Sequence, residues 1–222
     1  MLRAVIFDMD GVLIDSEPLH SIVEMNLTRE LGLQLSETEY HRFLGTTTRH
    51  MWVSLKDSHD LPQSLEELIE LTDRRYLEYL QSLSDLPSIP GVVSLLEELE
   101  RAGVIRIVAS SAPLSHIHYI LHRLGLKERF QALVSGVEVE HSKPAPDIFL
   151  RAAEQGGVQP ADCVVVEDAS SGVQAAAAAG MACVGFKNPS SRGQDLSAAD
   201  LQIDSLAGLT VSKLRALVRG EI

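Results

Sequence analysis

The sequence alternates short apolar runs with segments of helical periodicity. Each run is bounded by turn residues and has the length of a buried strand. Strands that alternate with helices form parallel strand–helix–strand units, so the pattern predicts a doubly wound α/β domain with helices on both faces of the sheet. The predicted strands are 3–7, 104–109, 132–135, 163–166, 182–186 and 201–203, and the predicted helices between and after them are 92–102, 114–124, 147–154, 172–179 and 209–218.

The alternation is interrupted after the first predicted strand. From residue 16 to residue 86 the apolar residues recur every three or four positions, and helices are predicted near 19–31, 36–43, 49–55 and 64–83. This predicts an all-helical cap domain over 16–86, inserted into an α/β core of residues 1–15 and 87–222. Ligands bind beyond the carboxyl ends of the strands in open α/β sheets, so a domain inserted there would cover the binding site.

Charge and composition limit the partners of the chain. Hydrophobic residues make up 45% of the sequence and charged residues 23%, as in ordinary globular proteins. The formal net charge of -12 argues against nucleic acid and anionic membranes, since both attract basic surfaces. No apolar run approaches the roughly 20 residues that span a bilayer, and no export signal is visible, so we expect a cytoplasmic protein. Cys163 and Cys183 lie in apolar runs and are predicted to be buried small hydrophobic residues.

Polar residues follow the first two strands of the predicted core. Asp8 and Asp10 leave the first strand together with Gly11, and Ser110 and Ser111 follow the second. Taken alone, the aspartates are also typical of an ordinary turn. The serines suit an oxyanion, but they are equally typical of a helix N-cap.

Two further groups complete the set. Lys143 is predicted at the carboxyl end of a strand of its own, just before a helix, and supplies a cation, although a lone lysine is usually solvated surface. Glu167 and Asp168 follow the fourth strand and suit a hard divalent cation such as Mg²⁺, although they would also fit an exposed acidic turn. Because all of these groups are predicted at one rim of the sheet, a single active site explains them together.

These motifs resemble those of the haloacid dehalogenase superfamily, in its phosphatase and phosphoglucomutase branch. The resemblance covers essentially the whole chain. It rests on the Asp8-x-Asp10-Gly11, Ser110, Lys143-Pro144 and Glu167-Asp168 motifs in the family's order, and on cap segments 15–20 and 45–49, which resemble the helical caps of sugar-phosphate members.

The resemblance implies a role for each core residue. Asp8 would attack phosphorus and form an aspartyl-phosphate, while Asp10 would act as general acid and base. Mg²⁺ would be held by the carboxylates of Asp8 and Asp168, by the backbone carbonyl of Asp10, and by Glu167 directly or through water. Ser110, with Ser111 beside it, and Lys143 would bind the transferring phosphoryl group.

Three cap residues are predicted to contact the substrate. Arg49 follows a run of threonines, and a guanidinium group suits bidentate contact with phosphate or sugar hydroxyls, but a surface role is also open. Gly45 belongs to the same loop. His20 resembles a substrate-facing residue of mutases, and a structural or solvated role is equally compatible with its position.

We therefore expect a Mg²⁺-dependent phosphatase that acts on a small phosphorylated metabolite, with a sugar phosphate as the expected substrate and a monomer as the simplest state. Dehalogenases lack the second aspartate, and phosphonatases use a cap lysine for which Lys56 is a poor match. A β-phosphoglucomutase is the nearest alternative, but the Lys and Asn that follow the serine in mutases are absent after Ser110. A non-catalytic binding module would be expected to have lost a core acid, and Asp8 and Asp10 are both present.

Overall fold

A computed structural model describes residues 1–43, 47–191 and 193–222. The chain forms two compact units, one of Met1–Asp15 with Leu86–Ile222 and one of Ser16–Asp85. The first unit is an α/β fold and the second is helical.

The α/β unit contains a six-stranded sheet in which every pairing is parallel. The strand order is β3-β2-β1-β4-β5-β6, so β1 lies near the centre. The predicted doubly wound sheet is therefore confirmed, with strand ends that differ from the prediction by at most one residue. The strands are β1 (Ala4–Phe7), β2 (Ile105–Ser110), β3 (Ala132–Ser135), β4 (Cys163–Glu167), β5 (Ala182–Phe186) and β6 (Leu201–Ile203).

The register of the central strands determines where the chain leaves the sheet. Phe7 pairs with Val108 of β2 on one side and with Val166 of β4 on the other. All four residues of β1 are fully buried, as expected for a parallel strand covered on both faces. The residues that follow these three positions consequently emerge side by side at one edge of the sheet.

The described residues form nine α-helices. They are α1 (Glu17–Glu30), α2 (Glu37–Tyr40), α3 (Thr48–Ser58), α4 (Leu65–Ser82), α5 (Val92–Arg101), α6 (Leu114–Arg123), α7 (Asp147–Gln155), α8 (Ser170–Ala178) and α9 (Val211–Val218).

Helix boundaries differ from the predictions by up to three residues, and the largest difference is at the end of α3, which runs to Ser58 rather than to residue 55. Helix α9 starts two residues later than predicted, because the Thr210 side chain accepts a hydrogen bond from the Lys213 amide and caps the helix. Helix α8 starts at Ser170 rather than at residue 172. The predicted helix over 36–43 is an α-helix only as far as Tyr40 and continues as a 3₁₀ turn over His41–Phe43, a distinction that apolar spacing does not resolve over so few residues.

The helical unit has a hydrophobic core of its own. Helix α4 packs against α1 and α3, and Trp52 of α3 is fully buried, with its indole N–H donating to the Thr72 hydroxyl of α4 at 2.8 Å. Ser64 and Glu67 form a capping box at the start of α4, which satisfies amides that the first turn leaves unpaired. Across the described ranges, no helix is long and apolar enough to cross a membrane.

Both cysteines lie in the core of the α/β unit. Cys163 on β4 and Cys183 on β5 are buried free thiols among apolar neighbours. Burial raises the pKa of the Cys163 thiol to about 12. The prediction that they act as small hydrophobic residues is confirmed.

Candidate active site

The chain leaves β1 in a tight turn that presents Asp8. The Asp8 amide donates to the Val166 carbonyl at 3.0 Å, and its side chain is buried. Gly11 has a φ of +77°, a conformation that side chains disfavour. A Cβ atom on Gly11 would lie 1.9 Å from Asp168 Oδ2, so only glycine lets the turn pass this close to Asp168.

Lys143 joins two of the buried carboxylates. Its Nζ lies 2.5 Å from Asp8 Oδ1 and 2.6 Å from Glu167 Oε1. The ammonium group also lies 5.0 Å from the centre of the Phe149 ring. Lys143 does not directly follow a strand as the prediction had it, but lies within the connection between β3 and α7. The side chain reaches the rim from that loop and is itself buried there.

Glu167 is held from several sides at the end of β4. Its Oε2 accepts hydrogen bonds from the amides of Asp168 and Ala169 at 2.9 and 3.0 Å, while Oε1 accepts from Lys143. A Cβ atom on Gly172 would lie 1.7 Å from Oε1, so the first turn of α8 approaches Glu167 at a distance that only glycine permits.

Ser110 and Asp10 meet at the end of β2. The Ser110 hydroxyl donates to Asp10 Oδ2 at 3.5 Å and accepts a hydrogen bond from the Ala112 amide at 3.1 Å. Ser135 Oγ donates to the Ala112 carbonyl at 2.7 Å, which ties this loop to the end of β3. Ser111 is exposed beside them.

A group of polar residues that follows β5 was not predicted from the sequence. The Asn188 amide group donates to the Gly11 carbonyl at 2.9 Å, and the Ser190 hydroxyl donates to Asp15 Oδ2 at 3.0 Å. The Ser191 hydroxyl donates to Asp168 Oδ2 at 2.5 Å. They lie just beyond the carboxyl end of a parallel strand, so the rule that pointed to Asp8 and Glu167 would also have pointed to them.

Burial and mutual repulsion dominate the electrostatics of the acidic cluster, which consists of the carboxylates of Asp8, Asp10, Glu167 and Asp168. Burial raises the pKa of Asp8 to about 7; the charge of Lys143 lowers this pKa, and the charges of Glu167 and Asp10 raise it. Burial and the charges of Glu167 and Asp8 also raise the pKa of Asp168 well above its usual range. Burial lowers the pKa of Lys143, but its acidic neighbours outweigh that effect and raise it above the ordinary lysine value. The site therefore holds more negative charge than one ammonium group neutralises.

This donor set fits a hard divalent cation. Asp8, Glu167 and Asp168 each offer a carboxylate oxygen, and the three oxygens lie within 4.8 Å of one another. Oxygen donors with excess negative charge are what Mg²⁺ prefers in proteins. The Asp10 carboxylate does not belong to this group and contacts Ser110 instead.

The predicted cap residues lie in the helical unit. The His20 ring stacks on Tyr76 with the ring centres 3.8 Å apart, and Arg49 lies 3.6 Å from Glu66 in an exposed ion pair. Arg75 pairs with Glu30 at 2.8 Å. Gly45 lies outside the described residues.

A doubly wound parallel sheet whose central strand presents Asp8, with a buried lysine and two further acids at the same rim, defines a hydrolase of the haloacid dehalogenase class. The family model for haloacid dehalogenase-like hydrolases matches residues 2–180, and the chain belongs to this family. The predicted family is confirmed. Relatives named as phosphatases confirm the predicted enzyme class, that of phosphoric monoester hydrolases.

Individual relatives are similar over most of the chain. It is 30% identical to the β-phosphoglucomutase of Bacillus subtilis over 218 residues, covering 96% of this chain and 94% of that protein. It is 31% identical to hexitol phosphatase B of Escherichia coli K12, covering 96% of both. Protein SUPPRESSOR OF QUENCHING 1 of Arabidopsis thaliana is 37% identical over 84% of this chain, which spans only 18% of that protein's length.

The fold is also similar to solved structures. The crystal structure of CbbY from Rhodobacter sphaeroides in complex with phosphate has a TM-score of 0.84 and 27% sequence identity, and the comparison covers 97% of this chain and all of that one.

Proposed function

We propose that the protein is a Mg²⁺-dependent phosphatase that hydrolyses a small sugar phosphate through an aspartyl-phosphate on Asp8. The observation that carries the proposal is the Asp8 carboxylate itself, buried at the end of the central strand and held by Lys143 within a cluster of further acids. Its position at the carboxyl edge of the sheet is where α/β enzymes bind their ligands.

The first chemical step assigns roles to Asp8 and Asp10. An Asp8 oxygen attacks phosphorus in line, the bond to the substrate oxygen breaks, and Asp10 protonates that oxygen so that the sugar leaves as an alcohol. Asp10 is connected to Ser110, which holds its carboxylate at the rim. In the second step Asp10 takes a proton from water, the water oxygen attacks phosphorus, and phosphate leaves Asp8.

Lys143 and the Ser110–Ser111 segment would stabilise charge on the phosphoryl group during both steps. The Lys143 ammonium already touches the nucleophile, so a phosphoryl group on Asp8 would lie beside a fixed cation. Placing these groups in advance on strand ends and short loops avoids reorganisation during the reaction.

Asp8, Asp168 and the Asp10 carbonyl would hold Mg²⁺, which supplies the positive charge that lets an anionic nucleophile approach an anionic substrate. Glu167 already uses one oxygen for Lys143 and the other for two amides. We therefore expect it to reach the ion through water. Its direct role in the protein is to orient Lys143.

The helical unit, predicted as a cap over residues 16–86, would supply substrate contacts through Arg49 and His20, and through Gly45 as predicted from the sequence. A sugar phosphate is favoured over a nucleotide, because relatives include enzymes named for hexitol phosphate and fructose 1-phosphate. Few aromatic residues are available to stack a base, since Phe, Trp and Tyr make up 5% of the chain.

Release of free phosphate is favoured over transfer within one sugar. A mutase has to bind a second phosphate, which requires cationic donors. Beside Ser110 the chain has Ala112 and Pro113, and in the helical unit Arg75 is already paired with Glu30 at 2.8 Å. Each polar group of the second phosphate left without a partner would cost about 1–3 kcal/mol.

A substrate panel tests the proposal. Hexose, pentose and hexitol phosphates and nucleoside monophosphates are incubated with the enzyme with and without Mg²⁺, and phosphate release is measured. We expect Mg²⁺-dependent release that is fastest on a sugar or sugar-alcohol phosphate, and faster hydrolysis of the nucleotides would contradict the substrate class.

A separate assay distinguishes the phosphatase from the mutase. The enzyme receives β-glucose 1-phosphate, Mg²⁺ and a trace of the 1,6-bisphosphate, and glucose 6-phosphate and free phosphate are measured together. Rapid isomerisation with negligible phosphate release would identify a mutase instead.

A further inference from the structure

The hydroxyl of Ser191 lies against the Asp168 carboxylate, although the two residues belong to different loops of the α/β unit. Ser191 Oγ donates to Asp168 Oδ2 at 2.5 Å, a short distance typical of hydroxyl donors to carboxylates. Asp168 also lies close to Gly11, where a Cβ atom would come within 1.9 Å of the same oxygen. The carboxylate is thus close to both the β1 turn and Ser191.

Ser191 is held in place by the four-residue turn to which it belongs, the Asn188–Ser191 turn. The Ser191 amide donates to the Asn188 carbonyl at 3.1 Å, which closes the turn, and Pro189 stands at the second position, where its fixed φ favours such a bend. Asn188 Oδ1 accepts a hydrogen bond from the Ser190 amide at 2.9 Å, which stiffens the turn from within.

The same turn is anchored to the loop that carries Asp8 and Asp10. Asn188 is buried, and its Nδ2 donates to the Gly11 carbonyl at 2.9 Å. The Asn188–Ser191 turn is therefore hydrogen-bonded to the loop that carries Asp8 and Asp10, and it presents the Ser191 hydroxyl to Asp168, which lies in a different loop. This is the arrangement by which residues behind a metal ligand fix its orientation.

We propose that Ser191 is a positioning residue for Mg²⁺ binding, acting through Asp168. This inference rests on the proposed function, because it takes Asp168 as a ligand of the ion. Ser191 holds Oδ2 so that the carboxylate does not have to be ordered when the ion binds. Loss of such a partner typically weakens metal binding by about 10–100-fold.

Ser190 provides a matched control. It is the neighbouring residue of the same turn, and its hydroxyl also donates to a carboxylate, but to Asp15 Oδ2 at 3.0 Å rather than to Asp168. Removing either hydroxyl deletes one serine oxygen from the same turn. Only Ser191→Ala removes a contact to the acidic cluster.

Mg²⁺ affinity is measured without substrate, by calorimetry and by the Mg²⁺-dependent rise in Tm, for the wild type, Ser191→Ala, Ser190→Ala and Ser191→Thr. We expect about 10-fold weaker binding or more in Ser191→Ala, binding within twofold of wild type in Ser190→Ala, and recovery in Ser191→Thr, which restores the hydroxyl. In turnover assays the Ser191→Ala enzyme should need correspondingly more Mg²⁺ and approach the wild-type kcat at saturation.

An incorrect positioning role for Ser191 and an incorrect proposed function would give different results. If the wild type binds Mg²⁺ and both alanine variants bind it equally well, or are weakened equally, the positioning role is wrong while the proposed function stands. A wild type that binds no Mg²⁺ and hydrolyses sugar phosphates equally well in EDTA would overturn the proposed function and this inference with it.

Discussion

Replacing Lys143 with methionine should destabilise the metal-free protein strongly. Methionine keeps most of the length of the side chain and its packing near Phe149, but removes the ammonium group. Lys143 pairs with Asp8 and Glu167, and the three side chains are 7%, 10% and 1% exposed. Two buried carboxylates would lose their counter-ion together.

The expected loss follows from that burial. Removing one partner of a buried ion pair costs about 3–5 kcal/mol. Since 1 kcal/mol shifts the Tm of a chain of this size by roughly 2–4 °C, the Tm of Lys143→Met should fall by about 6–20 °C. Lys127→Met, which removes an exposed lysine, serves as the matched control and should melt close to the wild type.

The loss of stability in Lys143→Met should also depend on pH. The folded-state pKa of Asp8 is raised to about 7, above its unfolded value, mainly by burial. Protonation of Asp8 therefore favours the folded state at low pH, and this contribution is lost as the pH rises through about 7. Without Lys143 the destabilisation should be larger at pH 8 than at pH 6.

The assay is thermal unfolding followed by circular dichroism in EDTA at the two pH values, repeated with Mg²⁺. We expect Mg²⁺ to restore part of the Tm of Lys143→Met, because the ion neutralises the same carboxylates. A Tm within about 2 °C of wild type at pH 8 in EDTA would refute the argument that Lys143 stabilises the cluster.

Two further predictions concern other parts of the chain. Gly172→Ala would place a Cβ atom 1.7 Å from Glu167 Oε1, so it should lower stability by about 1–3 kcal/mol although alanine favours helices. Gly208→Ala, with open space around its Cβ, should be neutral in the same denaturant titration, and equal effects of the two would contradict the close approach. Arg49→Ala should lose kcat/KM on the preferred sugar phosphate much more than on a small aryl phosphate. Equal losses on both substrates would remove Arg49 from substrate recognition.

Much of the α/β unit was predictable because local pattern and global position agree there. Apolar runs of strand length correspond to strands. Ligands bind beyond the carboxyl ends of parallel strands, and this rule predicts from the sequence alone that Asp8, Ser110 and Glu167 lie at one rim of the sheet. Lys143 was found as a motif residue, but its place in the loop between β3 and α7 was not predicted. A long side chain reaches the rim from a distance that sequence spacing does not encode.

Other features depend on distances between elements and have no local signal. In the sequence, Gly172 is one more small residue in an alanine-rich helix. Its role, which is to let α8 approach Glu167 closely, is visible only in the structure. The pairing of Arg75 with Glu30 joins residues on different helices, so the charge available in the helical unit could not be judged from composition. Substrate preference depends on such pairings and is therefore the least predictable property of the chain.

The most direct test of the central claim is chemical trapping of the phosphorylated residue. Borohydride reduces an aspartyl-phosphate to homoserine, which peptide mass spectrometry locates along the chain. The enzyme is quenched with borohydride during turnover of a sugar phosphate with Mg²⁺, beside Asp8→Asn and a sample without substrate. We predict homoserine at position 8 in the wild type alone, with no turnover by Asp8→Asn. Active hydrolysis without reduction at position 8, together with turnover by Asp8→Asn within tenfold of the wild type, would contradict the account.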